Sequence, residues 1–232
     1  MARILKREGS VLAGEAAIAI WNGIAPELRE RFYDWHMHEH MPERVGIPGF
    51  RRGRRLIAAE PNTAPEYFTL YEADSMGVIT GSDYAARLND PTPATREVTA
   101  GFQNTVRALT AVEESRGPGL GGVMATLRFE AETWLANELR AVTRAVAGLP
   151  RIAGAHLCHT NLLASGVRTT ETRDRTDIEM PPGWCLLVEA MDVDALELAE
   201  LAPMLARAGV REPPLMGVYR LEFLRTKTGF AP

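Results

Sequence analysis

The sequence predicts an α+β fold, built as tandem ferredoxin-like (βαββαβ) repeats whose two sheets pair within one chain. Three observations carry this. The 232 residues suit two units of about a hundred residues each. Ile47-Pro48-Gly49-Phe50 is echoed by Ile152-Ala153-Gly154-Ala155, and Tyr67-Phe68-Thr69-Leu70-Tyr71-Glu72-Ala73 by Trp184-Cys185-Leu186-Leu187-Val188-Glu189-Ala190. Around these anchors, strands and helices alternate in the same order twice. The first repeat spans 1–115, a glycine-rich linker 116–122, and a second, divergent repeat 123–232.

In the first repeat, the apolar run Glu15 to Trp21 reads as strand one. Pro26 opens a helical pattern that sets Leu28, Phe32, Trp35 and His36 on one face. Pro42 is expected to end or kink that helix, because the residue before a proline is pushed out of the α region. Gly49 to Ala59 is strand two, Pro61-Asn62-Thr63 a turn, and Glu66 to Ala73 strand three. A helical region follows over Ser75 to Arg107, interrupted near Asp90-Pro91-Thr92-Pro93, and Ala108 to Glu113 is strand four.

The linker fits G-x-G-x-x-G at Gly117, Gly119 and Gly122. A dinucleotide site needs that motif to open a helix; here the strand-like Val123 to Phe129 follows, so the motif is rejected. In the second repeat, Glu132 to Ala147 is a helix with Leu135, Leu139, Val142 and Val146 on its apolar face. Ile152 to Leu163 is strand two, Trp184 to Met191 strand three, Asp194 to Ala208 a helix, and Leu215 to Leu224 strand four. Ala164 to Gly183 is a long polar insert, a length typical of functional loops such as lids. A symmetric hairpin around it sets Cys158 and Cys185 roughly opposite each other, as buried thiols. Each four-stranded sheet would cover one face with helices and leave the other apolar, so the two bare faces are expected to meet.

Hydrophobic residues at 46% and charged residues at 24% match an ordinary globular protein with a core. A net charge of −4 argues against a nucleic-acid partner, since phosphate-binding faces need clustered Lys and Arg. No apolar run is long enough to cross a bilayer, and Met1 to Ser10 does not read as a signal peptide. The expectation is a cytoplasmic protein. The two cysteines have no zinc or redox spacing.

Chemistry concentrates in Trp35-His36-Met37-His38-Glu39-His40-Met41-Pro42-Glu43, which holds three of the five histidines. His36 and His40, four apart, share a helix face while the helix lasts. An acid–base site fits, because His titrates near neutral pH and a carboxylate can orient it. So does a polar helix end that uses His to satisfy terminal carbonyls, and less well a metal site. The second repeat keeps the helix without the histidines, with Ala145 where His40 would fall, which makes them look specialised. On strand two Arg52 and Arg54 share one face and Arg51 and Arg55 the other. One pair could anchor an anionic substrate, and a charged edge strand is an equally good account. Tyr71 could donate a proton or simply bury its ring.

The stretch from Trp35 through His40-Met41-Pro42-Glu43 to Ile47-Pro48-Gly49-Phe50 and Arg54-Arg55, with Tyr67-Phe68-Thr69-Leu70-Tyr71-Glu72, resembles the EthD-like branch of the dimeric α+β barrel superfamily. The match covers the first half well and the second in outline. It implies a dimeric-α/β-barrel-type fold and a small-molecule pocket, with His40, the His before Met-Pro, as the residue carried over. The superfamily includes cofactor-free monooxygenases, lactone isomerases, polyketide cyclases, dehydratases and haem enzymes, so the fold alone assigns no activity.

Two classes of function remain. In the first, His40 is the general acid/base for isomerisation, elimination or cyclisation of an aromatic or lactone-like metabolite; cofactor-free oxygenation is a variant. Here Glu43 orients the imidazole, Tyr71 assists catalysis, Phe32 and Trp35 form an apolar wall, and His36, Arg52 and Arg54 bind substrate. In the second, the chain is a non-catalytic small-ligand-binding or assembly protein. A small molecule is the expected partner, and self-association into a homo-oligomer is left open. No cofactor and no metal are expected, since Pro42 disturbs the His36–His40 spacing that ligation would need.

Overall fold

The computed structural model describes residues 11–227; Met1–Ser10, read above as unlike a signal peptide, lies outside the described residues. The first half runs β1 (Ala16–Ile24), α1 (Arg29–Trp35), a π-helical segment His36–His40, α2 (Met41–Gly46), β2 (Phe50–Ala58) and β3 (Tyr67–Ala73). Helices α3 (Met76–Ile79), α4 (Ser82–Asn89) and α5 (Pro93–Ala100) lead to β4 (Phe102–Arg116). The second half runs β5 (Val123–Phe129), α6 (Ala136–Ala147), β6 (Ile152–Thr160), α7 (Leu162–Ser165), β7 (Ile178–Glu179), β8 (Trp184–Ala190), α8 (Val193–Leu198), α9 (Leu201–Arg207) and β9 (Leu215–Thr226).

Eight strands close into an antiparallel barrel in the order β1-β3-β2-β9-β5-β8-β6-β4 and back to β1. Within each half the strand order is that of a split βαβ unit. The bare faces do meet: Ala17, Ala19, Trp21, Phe68 and Leu70 of the first half pack with Met124, Cys158, Cys185, Leu187 and Tyr219 of the second. The sheets also join edge to edge, because the two fourth strands are long. β4 pairs with β1 over Phe102–Ala111 and with β6 over Thr110–Arg116, while β9 serves β5 and then β2. Closure removes the edges that two facing sheets would leave exposed.

Several boundaries differ from the sequence reading. The helical region ends at Ala100 rather than Arg107, and strand four begins at Phe102. Gly101 stops the helix, and the Thr105–Leu109 stretch then alternates between barrel and helix sides. In the second half β6 ends at Thr160, and Leu162–Ser165 forms a helical turn with Asn161 as cap. The last helix is broken by Glu200, which sits at φ 47°. Cys158 and Cys185 are register partners across β6 and β8, both buried free thiols.

The largest correction concerns Pro42, which does not end the helix but lies just past the π-helical segment. The helix continues through Gly46 because its middle widens: the Met41 N–H donates to the His36 carbonyl, five residues back. A proline in an α-helix loses one backbone bond and drives its ring into the carbonyl four residues earlier; a π turn gives that ring room, and such turns gather at functional sites.

Candidate active site

The widened turn rolls His36 and His40 onto the strand side, and leaves His38 exposed. Gly53 of β2 permits the contact, since a Cβ there would lie 3.0 Å from Met41 and 3.1 Å from Tyr71. The His40 ring packs on Trp35 with centroids 4.2 Å apart, stacks with His36 at 5.8 Å and meets Tyr71 edge-on at 6.5 Å. Trp35, His40 and Tyr71 line a cavity of about 100 Å³ between the first-half sheet and its helices. Tyr84 of α4 and Arg107 of β4 form further wall.

The Ala164–Gly183 insert roofs this cavity. Val167, Glu171 and Met180 face it, and several contacts hold the insert down. Arg44 Nη2 donates to Glu171 at 2.8 Å, the Glu171 N–H donates to the Leu88 carbonyl, Arg175 bonds Thr105 at 2.6 Å, and β7 pairs in parallel with β4.

The hydrogen bonds decide which way the protons point. Arg55 Nη1 approaches His36 Nδ1 at 3.4 Å, and a guanidinium can only donate. His36 Nδ1 is therefore the acceptor, and Nε2 carries the proton toward Tyr71 Oη at 3.5 Å. Burial, with Arg55 and Arg44 nearby, pushes His36 down to about 3, so it stays neutral. Tyr71 accepts from His36 and keeps its own O–H for the cavity, while burial raises its pKa well above the ordinary value. His40 Nδ1 is shut off from solvent without a partner. A buried unpaired N–H costs about 1–3 kcal/mol, so the proton prefers Nε2, which faces the cavity. Burial, Arg44 and His36 all hold His40 well below 6.5. His40 and Tyr71 thus present two neutral donors to one space.

The other sequence candidates lie elsewhere. Glu43 does not orient His40: it bonds Arg44 at 2.6 Å and sits 3.6 Å from Arg87. Phe32 backs His36 and Tyr67 rather than lining the cavity. Arg52 and Arg54 point into the barrel because β2 alternates, and it is Arg55 that meets the histidines. Arg52 pairs with Glu72 at 2.5 Å; Arg54 bonds Glu189 at 2.9 Å and lies 3.1 Å from Glu72 without hydrogen-bond alignment. His156 of the same cluster bridges Ser115 at 2.9 Å and Glu189 at 3.1 Å. That connectivity matches a nucleophile–base–acid triad, but the Ser115 oxygen already accepts the N–H groups of Val11 and Leu12 and is buried. It reads as a plug at the barrel end. Arg44 and Arg107 were missed as site residues, whereas the sequence does mark the insert as a functional loop such as a lid. The signal available was Gly101 followed by Thr105-Val106, which marks a strand starting early.

Among the described residues no group of three or more His, Cys, Asp or Glu converges as a metal site. A haem does not fit either: its macrocycle is larger than the space of about 100 Å³ beside His40, and Trp35 stacks on the His40 ring.

Comparison with solved structures matches this architecture over nearly the whole chain. An anthrone oxidase-like protein superposes with a TM-score of 0.62 at 10% identity, covering 91% of this chain and 92% of its own. A candidate monooxygenase from Lactobacillus acidophilus NCFM gives 0.56 at 10% identity, with 91% and 96% covered. A candidate chlorite dismutase gives 0.55 at 9%, with 90% and 96% covered. The chain has the dimeric α+β barrel fold. At these identities the likeness establishes the fold of this barrel protein and nothing about its chemistry. No family model matches the chain, and curated proteins give no significant match. No helix among the described residues is long and apolar enough to cross a membrane.

Proposed function

We propose that this barrel is a small-molecule enzyme whose cavity polarises an oxygen acceptor on its substrate, a carbonyl or phenol, through His40 Nε2–H and Tyr71 O–H. The carrying observation is the convergence of these two neutral donors on one space roofed by the insert. Fixed donors aimed at developing negative charge are the strongest ordinary catalytic device. His40 is then an electrophile rather than a base, since protonating it would bury a second N–H without a partner. Glu179, on the cavity wall and without an ion pair among the described residues, takes the proton from the carbon beside the carbonyl. The electron pair moves to the oxygen held by His40 and Tyr71. Return of the proton at another carbon completes an isomerisation; loss of a leaving group completes an elimination; attack on a second carbon closes a ring. A polar, enclosed pocket at His40 favours this reading over a passive binding protein.

A second reading, cofactor-free oxygenation, uses the same donors to hold an electron-rich enolate or phenolate that reacts with oxygen. Proteins of the same fold that are described as anthrone oxidase-like and as a candidate monooxygenase are the reason to test it.

The test is binding of 4-nitrophenol at mildly acidic pH, followed by its phenolate absorbance. Donors arranged this way convert bound phenol to phenolate, and Tyr71→Phe and His40→Ala should each weaken that conversion roughly tenfold or more. Phenol that binds but stays neutral, or conversion unaffected by both variants, defeats the proposal.

A further inference from the structure

Arg107 is a cation without a counter-charge. It stands on β4 opposite Ile20, on the side facing the helices. Arg44, Arg54, Arg55 and Arg175 each meet a carboxylate. Arg107 has no hydrogen bond or ion pair among the described residues, and its Nη1 is closed off from solvent. Removing a guanidinium N–H from water without a partner is unfavourable, and a ligand that accepts from Arg107 Nη1 would relieve that cost.

Its position fits that use. Arg107 lines the His40 cavity and also a neighbouring one of about 160 Å³, the two sharing Tyr84, Leu88, Val167 and Arg168, whose guanidinium already donates to the Thr172 and Arg175 carbonyls. The neighbouring space is walled by Ile79, Leu109 and Ala164, suited to hydrocarbon. Four arginines and two glutamates line the His40 cavity; Arg44 is bound to Glu171 and Arg175 to Asp177, which leaves Arg107 and Arg168 against Glu179. A locally positive wall therefore stands in a chain whose net charge is −4. One free planar guanidinium with apolar surroundings matches a carboxylate, which it can grip with two parallel bonds. A phosphate would call for a ring of donors.

We propose that the ligand is an organic carboxylate: Arg107 holds the carboxylate, the neighbouring cavity takes hydrocarbon, and a separate oxygen acceptor reaches His40 and Tyr71. This rests on the cavity being the substrate site, as proposed above. The experiment measures binding of benzoate, its uncharged isostere benzamide, and phenyl phosphate by calorimetry. The proteins are wild type, Arg107→Gln and Arg107→Lys, with the melting curve of each recorded. Wild type should bind benzoate at least tenfold more tightly than benzamide and more tightly than phenyl phosphate. Arg107→Gln should bring benzoate down to the benzamide level with benzamide unchanged, and Arg107→Lys should keep part of the preference, which guards against misreading a folding defect. Equal binding of benzoate and benzamide, no binding of benzoate, a preference surviving Arg107→Gln, or stronger binding of phenyl phosphate overturns the proposal. The two ideas fail separately. Loss of nitrophenol conversion with the benzoate preference intact indicts His40 and Tyr71, and the converse indicts Arg107.

Discussion

Replacing Arg54 by Met should cost this barrel roughly 3 kcal/mol and flatten its acid denaturation. Arg54 is 1% exposed and reaches a carboxylate from each half, Glu72 and Glu189, both 0% exposed. Burial alone would raise Glu189; Arg54, His156 and the Gly121 N–H overcome it and hold the carboxyl at about 2, against an ordinary 4.5. That gap corresponds to about 3 kcal/mol, near the cost of about 3–5 kcal/mol for removing one partner of a buried ion pair. The lower figure applies because Glu189 keeps His156 and Glu72 keeps Arg52. In a chain of this size the melting temperature should fall by roughly 6–12 °C. Since the folded pKa lies below the unfolded one, this stability is complete above about pH 4.5 and lost as pH falls toward about 2. Wild type should therefore lose stability across that window and Arg54→Met much less, as read by urea titrations at a series of pH values. A variant within about 0.5 kcal/mol of wild type, with the same acid limb, refutes the reasoning.

Three further outcomes are expected. His36 is held at about 3 against an ordinary 6.5, so the unfolded chain takes up a proton first. Native stability should then decline as pH falls from about 6.5, and His36→Gln should remove part of that slope in thermal melts. Glu171→Gln removes the Arg44 tie on the roof, and limited proteolysis should cut within residues 164–183 faster while the barrel stays folded; an unchanged cleavage rate means the roof is held elsewhere. Burial pushes the Cys158 thiol up to about 12 and Cys185 well above its ordinary value, so a thiol reagent should label both only on unfolding, and rapid labelling of the native protein contradicts this packing.

Much of the fold was legible because period-two alternation and Gly/Pro punctuation act locally. Val123–Phe129 was read to the residue as a strand, and Tyr67–Ala73 missed by one. The pairing of Cys158 with Cys185 followed from the hairpin alone. Local signals misled where a tertiary contact outweighed them. Pro42 is a helix breaker in isolation, yet packing of Met41 on Gly53 and Tyr71 compensates for the widened turn.

The sequence by itself determined the order of elements, the apolar bare faces, and the concentration of chemistry between Trp35 and Pro42. Only the tertiary structure decided what that chemistry faces. Whether β2 turns Arg54 or Arg55 toward the histidines depends on the register of the β2–β3 ladder, and a one-residue slip reverses every side chain. Arg107 and the roof come to His40 from about 65 to 140 positions away in the chain. No pattern within a local window encodes such a distance, because closure of the barrel and docking of the insert are set by the summed packing of both halves.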